Sequence, residues 1–168
     1  LAEDNLHYLY SVPWPPQGFY FKKEVNSAAD MSGIKFRAYN AATARIAELA
    51  GMVPVQIEAA ELSQALATGV AEAFISSGST GVDSKVWESL THFYDVQAWL
   101  PRNTVFVNKD AYNGLDDAGK AAIMECGATA EAAGDAKSRE LTSQYLKTLA
   151  ENGMTVGGPA DQLKSDLQ

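Results

Sequence analysis

The chain has 168 residues, and 46% of them are hydrophobic, enough for a packed core and too many for a disordered chain. Its 21 acidic and 13 basic residues give a formal charge of −8, which excludes a nucleic-acid backbone as partner, since phosphate binding needs a basic surface. One cysteine, Cys126, excludes an internal disulfide, and two histidines exclude a cysteine- and histidine-rich zinc site.

No stretch reaches the roughly 18 apolar residues needed to cross a bilayer, so the chain is not expected to be membrane-spanning. It opens at Leu1 without a basic-then-apolar leader and stops at Gln168 without a terminal cap, so it reads as processed or cut from something longer. Leu6 to Val12 is apolar and β-prone, and Trp14-Pro15-Pro16 ends it, because proline cannot continue a ladder. Phe19-Tyr20-Phe21 is a second short apolar run. Asn26 and Ser27 are capping residues for a single turn at Ala28–Met31, which Gly33 stops.

Ile34 to Tyr39 alternates apolar and polar residues, the pattern of a strand. Asn40 fits the N-cap of a helix from Ala41 to Ala50, closed by Gly51. Val53 to Ile57 is a strand, and Pro54 puts it at a strand start or a sheet edge. Glu61 to Thr68 is a short helix with Leu62, Ala65 and Leu66 on one face and Gly69 as its stop. Val70 to Ile75 is the next strand. Ser76 to Gly81 reads as a loop by composition, and Asp83 as the cap of a helix running to Leu90. Thr104 to Val107 is a further strand.

Ala118 to Glu151 has no proline and much alanine, so one long helix is expected, with Gly127 or Gly134 as the place for a bend. At about 1.5 Å per residue it would span roughly 50 Å, long enough to buttress two lobes. Met154 to Val156 is a last short strand. Alternation of strands and helices gives an α/β layered fold.

Arg37 carries the most chemical information. It stands on an otherwise apolar strand, just before the helix start at Asn40. A helix start offers free N–H groups and the positive end of a dipole, and arginine adds a planar fork matched to a carboxylate. Ser76, Ser77 and Thr80 are hydroxyl donors at a strand end, where ligands of open α/β sheets lie. Trp14, rigid between prolines, is a candidate pocket wall. Tyr39 reads as a core aromatic and is also kept among the ligand-binding candidates. Glu58 and Glu61 favour a helix-dipole role. No G-x-S-x-G elbow is present, His7 and His92 have no catalytic context, and Cys126 reads as a packing residue.

The run Asn26-Ser27-Ala28-Ala29-Asp30-Met31-Ser32-Gly33-Ile34-Lys35-Phe36-Arg37 resembles the segment that contains the ligand-binding arginine of TRAP-transporter solute-binding proteins of the DctP type. Asn40-Ala41-Ala42-Thr43 resembles the helix start after that arginine. Ala50-Gly51 with Val53-Pro54-Val55, the helix from Glu61 to Val70, and Val107-Asn108-Lys109 match further stretches in the same order. The resemblance covers nearly the whole chain.

It implies a periplasmic-binding-protein-like, venus-flytrap lobe: a mixed sheet flanked by helices and a long bridging helix. Residues 1–25 would form an inter-lobe strand and loop, 26–103 the α/β core of the second lobe, and 104–168 the return strand, long helix and final strand. The first lobe would be absent. The implied protein is a periplasmic, non-enzymatic receptor that binds an organic-acid ligand and delivers it to TRAP permease membrane subunits. It implies no cofactor and no metal site. Arg37 would clamp the carboxylate, Asn40 would adjoin it, and Ser76 would stand where many members have a ligand-contacting asparagine, with Ser77 or Thr80 sharing the role. Gln17 falls where many members have a second arginine, and Ala59 where many have an aromatic. Less charge and more room imply a monocarboxylate, with an aromatic or otherwise bulky body. An α/β enzyme acting on a small organic acid is the alternative, and a purely structural interaction module is a third reading.

Overall fold

The structure, a computed structural model, describes residues 4–168; the first three residues of the expected opening segment lie outside the described residues. The elements are β1 (Leu6–Pro13), β2 (Gln17–Phe21), β3 (Lys35–Ala38), α1 (Ala41–Leu49), β4 (Val53–Gln56), α2 (Leu62–Ala67) and β5 (Ala73–Ser77). They continue with α3 (Gly78–Asp83), β6 (His92–Trp99), β7 (Arg102–Asn108), α4 (Lys109–Asn113), α5 (Asp117–Glu151), β8 (Thr155–Gly157) and α6 (Asp161–Asp166). Single 3₁₀ turns occupy Ala28–Met31, Ala59–Glu61 and Val86–Glu88. The chain divides into two compact units: Leu1–Pro15 with Leu100–Leu141, and Pro16–Trp99 with Thr142–Gln168.

In the first unit β1 and β7 form an antiparallel ribbon, with Leu6 opposite Asn108 and Pro13 opposite Arg102. The expected long helix is present and continuous as α5. Its two glycines are close-packing positions: a Cβ on Gly127 would stand 3.2 Å from the Leu9 carbonyl oxygen, and one on Gly134 2.6 Å from Val12. Removing the side chain lets helix and strand approach there. Glu131 ties the same two elements, accepting from the Ser11 N–H at 3.0 Å and the Tyr8 hydroxyl at 2.8 Å. These two donors, the backbone one first, hold its carboxyl below the usual range.

The second unit is built on a six-stranded mixed sheet in the order β4-β3-β5-β2-β6-β8. β3 runs parallel to β4 and β5, β2 antiparallel to β5 and β6, and β8 parallel to β6. All five residues of β2 are buried, as expected of a strand covered on both faces. Alternation sends Phe19, Phe21, Phe36 and Ile75 into one core with Met31, Ala47 and Leu163. Tyr20, Phe74 and Phe93 enter the other with Leu62, Leu66 and Leu149. Pro54 lies on the edge strand β4, where a missing N–H removes no inner ladder bond.

Three expectations need correction. The strand expected at Val70–Ile75 lies at Ala73–Ser77, because Ala71 is held in the turn after α2 by its N–H to Ala65 at 3.1 Å. The expected loop Ser76–Gly81 is the end of β5 followed by α3. Gly78 and Gly81 are there for contact rather than flexibility, since Cβ atoms would strike Tyr145 and the Tyr20 hydroxyl. The helix expected from Asp83 to Leu90 is broken at Lys85, whose φ of 47° is left-handed, and only Val86–Glu88 turns again. β6, α4 and α6 were not anticipated.

Gly18 sets how closely β6 lies against β2. A Cβ there would collide with the Tyr94 carbonyl oxygen and stand 2.6 Å from the Phe93 ring. Gly18→Ala is expected to lower the unfolding free energy by about 1–3 kcal/mol, the usual cost of overpacking, read as a lower urea midpoint.

Candidate functional site

The parallel strands β3, β4 and β5 all finish at one edge of the sheet, at Ala38, Gln56 and Ser77. Antiparallel β2 begins at that edge, with Gln17 paired to Ser77 and Gly18 to Ser76. Topology alone therefore gathers Gln17, Arg37, Tyr39, Asn40, Ser76 and Ser77 from three chain segments. The carboxyl ends of parallel strands are the usual ligand side of such sheets.

Arg37 is the charge at the centre of this cluster. The period of two places its neighbour Phe36 in one core and leaves Arg37 on the opposite face. The residue is 4% exposed. Its Nε donates to the Ile57 carbonyl at 2.8 Å, and its guanidinium carbon lies 4.9 Å above the centre of the Tyr39 ring. Among the described residues no carboxylate stands within ion-pair distance, and the two terminal nitrogens have no hydrogen-bond partner. Burial pushes the pKa down, opposed by Tyr39 and then Glu58. Arginine nonetheless stays charged at neutral pH. The result is a desolvated cation whose two outer nitrogens are ready for an anion.

Tyr39 links that cation to a neutral group. Its hydroxyl donates to Gln17 Oε1 at 2.9 Å. Burial is the main reason its pKa is raised, with the Gln17 hydrogen bond and Arg37 working the other way. Gln17 is 6% exposed, and with its carbonyl occupied by Tyr39 its NH₂ is the group left to donate.

Asn40 is the expected N-cap of α1. Its Oδ1 accepts from the Thr43 N–H at 2.8 Å, and Thr43 Oγ1 accepts from the Asn40 N–H at 3.2 Å. The N–H groups of Ala41 and Ala42 have no intrahelical carbonyl to pair with, so a positive helix end sits right after the Arg37 strand. Ser76 Oγ donates to Thr80 Oγ1 at 2.8 Å, while Ser77 Oγ lies 2.7 Å from Ser79 Oγ and is fully buried. The buried Tyr20 hydroxyl donates to the Ser77 carbonyl at 2.9 Å, locking the strand–helix junction. Two contributors escaped the sequence reading: the Ile57 carbonyl, because a main-chain group has no residue signature, and Thr43, whose capping partnership is visible in the spacing from Asn40.

Trp14 falls in the other unit, where its Nε1 donates to Asn103 at 2.9 Å and it is 42% exposed. His92 pairs with Phe21 at the far end of the sheet from Gln17, and His7 stacks on Tyr112 in the first unit at 3.6 Å. Among the described residues no group of three acidic, histidine or cysteine side chains is placed to hold a metal ion. Among them, too, no helix is long and apolar enough to cross a membrane. What the cluster offers is anion recognition, through one cation and several neutral donors.

The family model for bacterial extracellular solute-binding proteins, family 7 (DctP), matches residues 17–167. The solved structure of a marine-metagenome TRAP solute-binding protein specific for pyroglutamate, in complex with the co-purified ligand, is 59% identical with a TM-score of 0.94. The match covers 99% of this chain and 55% of that one. Two Bordetella pertussis extracytoplasmic solute receptors binding pyroglutamic acid, DctP6 and DctP7, are 48% and 41% identical with TM-scores of 0.95 and 0.94. Each covers 99% of this chain and is itself covered to 56%. The chain thus spans about half the length of the solved relatives it matches.

The cap at Asn40 generates a stability prediction. Asn40→Ala should cost about 1 kcal/mol in urea unfolding, and Asn40→Ser should recover most of it, because serine also accepts from the third helical N–H.

Proposed function

Since the chain belongs to the DctP family of bacterial extracellular solute-binding proteins, we propose that it supplies the carboxylate-clamping part of a periplasmic receptor. The receptor captures a small organic acid and passes it to TRAP permease membrane subunits. The observation that carries this reading is Arg37: buried, held by a carbonyl and an aromatic ring, and without an acidic partner among the described residues. A buried charge is costly until it is paired. A ligand carboxylate is the natural partner, and a guanidinium offers it two parallel hydrogen bonds.

The ligand we propose is pyroglutamate, on the strength of the relatives that bind it. It bears one carboxylate, in keeping with one guanidinium and a neutral Gln17. Its body is a five-membered lactam rather than an aromatic ring. Arg37 makes the ion pair, Gln17 adds a neutral donor, and Tyr39, Asn40, Ser76 and Ser77 hold these groups in place. Ser77 has a supporting role because its hydroxyl is buried and engaged by Ser79.

The enzyme alternative lacks support at this site. A general base within reach of Arg37 would be required, and His92 stands at the opposite end of the sheet. The relatives, too, are receptors.

Isothermal titration of the full-length receptor with pyroglutamate tests the reading. Arg37→Ala should weaken binding by about 2–5 kcal/mol, the range for losing one partner of a buried charge pair. Arg37→Lys should recover little of that loss, because lysine has no planar fork. An Arg37→Ala receptor with unchanged affinity contradicts the assignment.

A further inference from the structure

Resting on the reading of this cluster as a carboxylate site, we infer that Gln17, held by Tyr39, is the specificity-determining residue that reads a neutral carbonyl on the ligand. It also turns away a second carboxylate. Tyr39 touches both Arg37 and Gln17. Its ring face carries the Arg37 guanidinium, with 4.9 Å from Cζ to the ring centre. Its hydroxyl edge carries Gln17, 2.9 Å away. One aromatic side chain therefore touches a cationic donor with its face and a neutral donor with its hydroxyl.

The direction of the Tyr39–Gln17 hydrogen bond sets the chemistry. The phenol donates, so the Gln17 carbonyl accepts and its NH₂ is the end left to donate. Gln17 is 6% exposed, and among the described residues that NH₂ has no partner. A ligand carbonyl satisfies it. A ligand methylene leaves a nearly buried donor unpaired, which costs affinity. A ligand carboxylate in that place adds a negative charge with only an amide to meet it. Arg37 already serves the first carboxylate, and no second cation from the described residues joins the cluster. Rejection of dianions thus follows from an unbalanced buried charge, a repulsive element that gives selectivity without new attractive contacts.

Tyr39 acts here as a positioning residue. Without its hydroxyl the Gln17 carboxamide is free to rotate, and the donor is no longer preset. The aromatic face under Arg37 survives in phenylalanine, so the two functions of Tyr39 separate.

The test compares two ligands that differ by one carbonyl, 3-oxocyclopentanecarboxylate and cyclopentanecarboxylate, titrated into the full-length receptor. The wild type should prefer the ketone by about tenfold, the weight of one hydrogen bond that fills an otherwise unpaired donor. Gln17→Met keeps length and volume and should bring that ratio close to one. Tyr39→Phe should shrink it, because the Gln17 carboxamide then loses the hydroxyl that holds it. Gln17→Arg should admit glutarate, which the wild type rejects. A ratio that persists in Gln17→Met, or is absent from the wild type, overturns the inference. The two levels of the account fail differently. If Arg37→Ala leaves both monocarboxylates tightly bound, the carboxylate-site reading itself is wrong. If Arg37→Ala abolishes binding but the carbonyl ratio ignores Gln17, only the role of Gln17 is wrong.

Discussion

A guanidinium taken out of water has to be compensated, and much of this chain's second unit is arranged around that requirement at Arg37. Compensation inside the chain is partial. A main-chain carbonyl meets Nε, and an aromatic face meets the plane of the group. Neither neutralises the charge. Leaving it unbalanced raises the free energy of the empty site and makes an incoming carboxylate more strongly bound, because attraction between charges grows as water is excluded. The strain of keeping a cation buried and the affinity for an anion are two faces of one arrangement.

The rest of the unit holds that arrangement still. Two hydrophobic cores, one on each face of the sheet, clamp β3 and its neighbours between them. The stack of Tyr20 on Phe74, 4.4 Å apart and nearly parallel, sits beneath the strand next to Arg37. The Asn40 cap fixes where α1 begins, and the Tyr20 hydroxyl fixes where β5 gives way to α3. Parallel pairing of β3 with β4 and β5 ensures that these termini meet at one edge. A donor carried on such a framework does not need to reorganise when a ligand arrives, which lowers the cost of binding.

Much of this was legible in the residues. The alternation in Ile34–Tyr39 located β3, Asn40 located α1, and the apolar run noted at Phe19–Phe21 lies in the buried strand β2. Arg37 stood out because its guanidinium comes just before the helix start at Asn40. Glycine was read less well. In the Ser76–Gly81 stretch it mimicked a loop, although Gly78 and Gly81 are there so that Tyr145 and Tyr20 pack close. Composition does not separate a glycine that permits motion from one that permits contact. β6 went unseen although Phe93, Tyr94, Val96 and Trp99 are β-prone and Asp95 and Gln97 alternate with them. Strand order, which brings Gln17 beside Ser77 across the sheet, is a long-range pairing that no local pattern encodes. The neighbourhood of Gln17, Tyr39 and Arg37 was therefore visible only as separate candidates.

The most direct measurement is a crystal structure of the full-length receptor with pyroglutamate bound. The account predicts the ligand carboxylate on the two terminal nitrogens of Arg37, as a bidentate pair at about 2.8 Å, with Nε still donating to the Ile57 carbonyl. A carboxylate bound elsewhere, with the outer nitrogens of Arg37 meeting only water or protein, would contradict it.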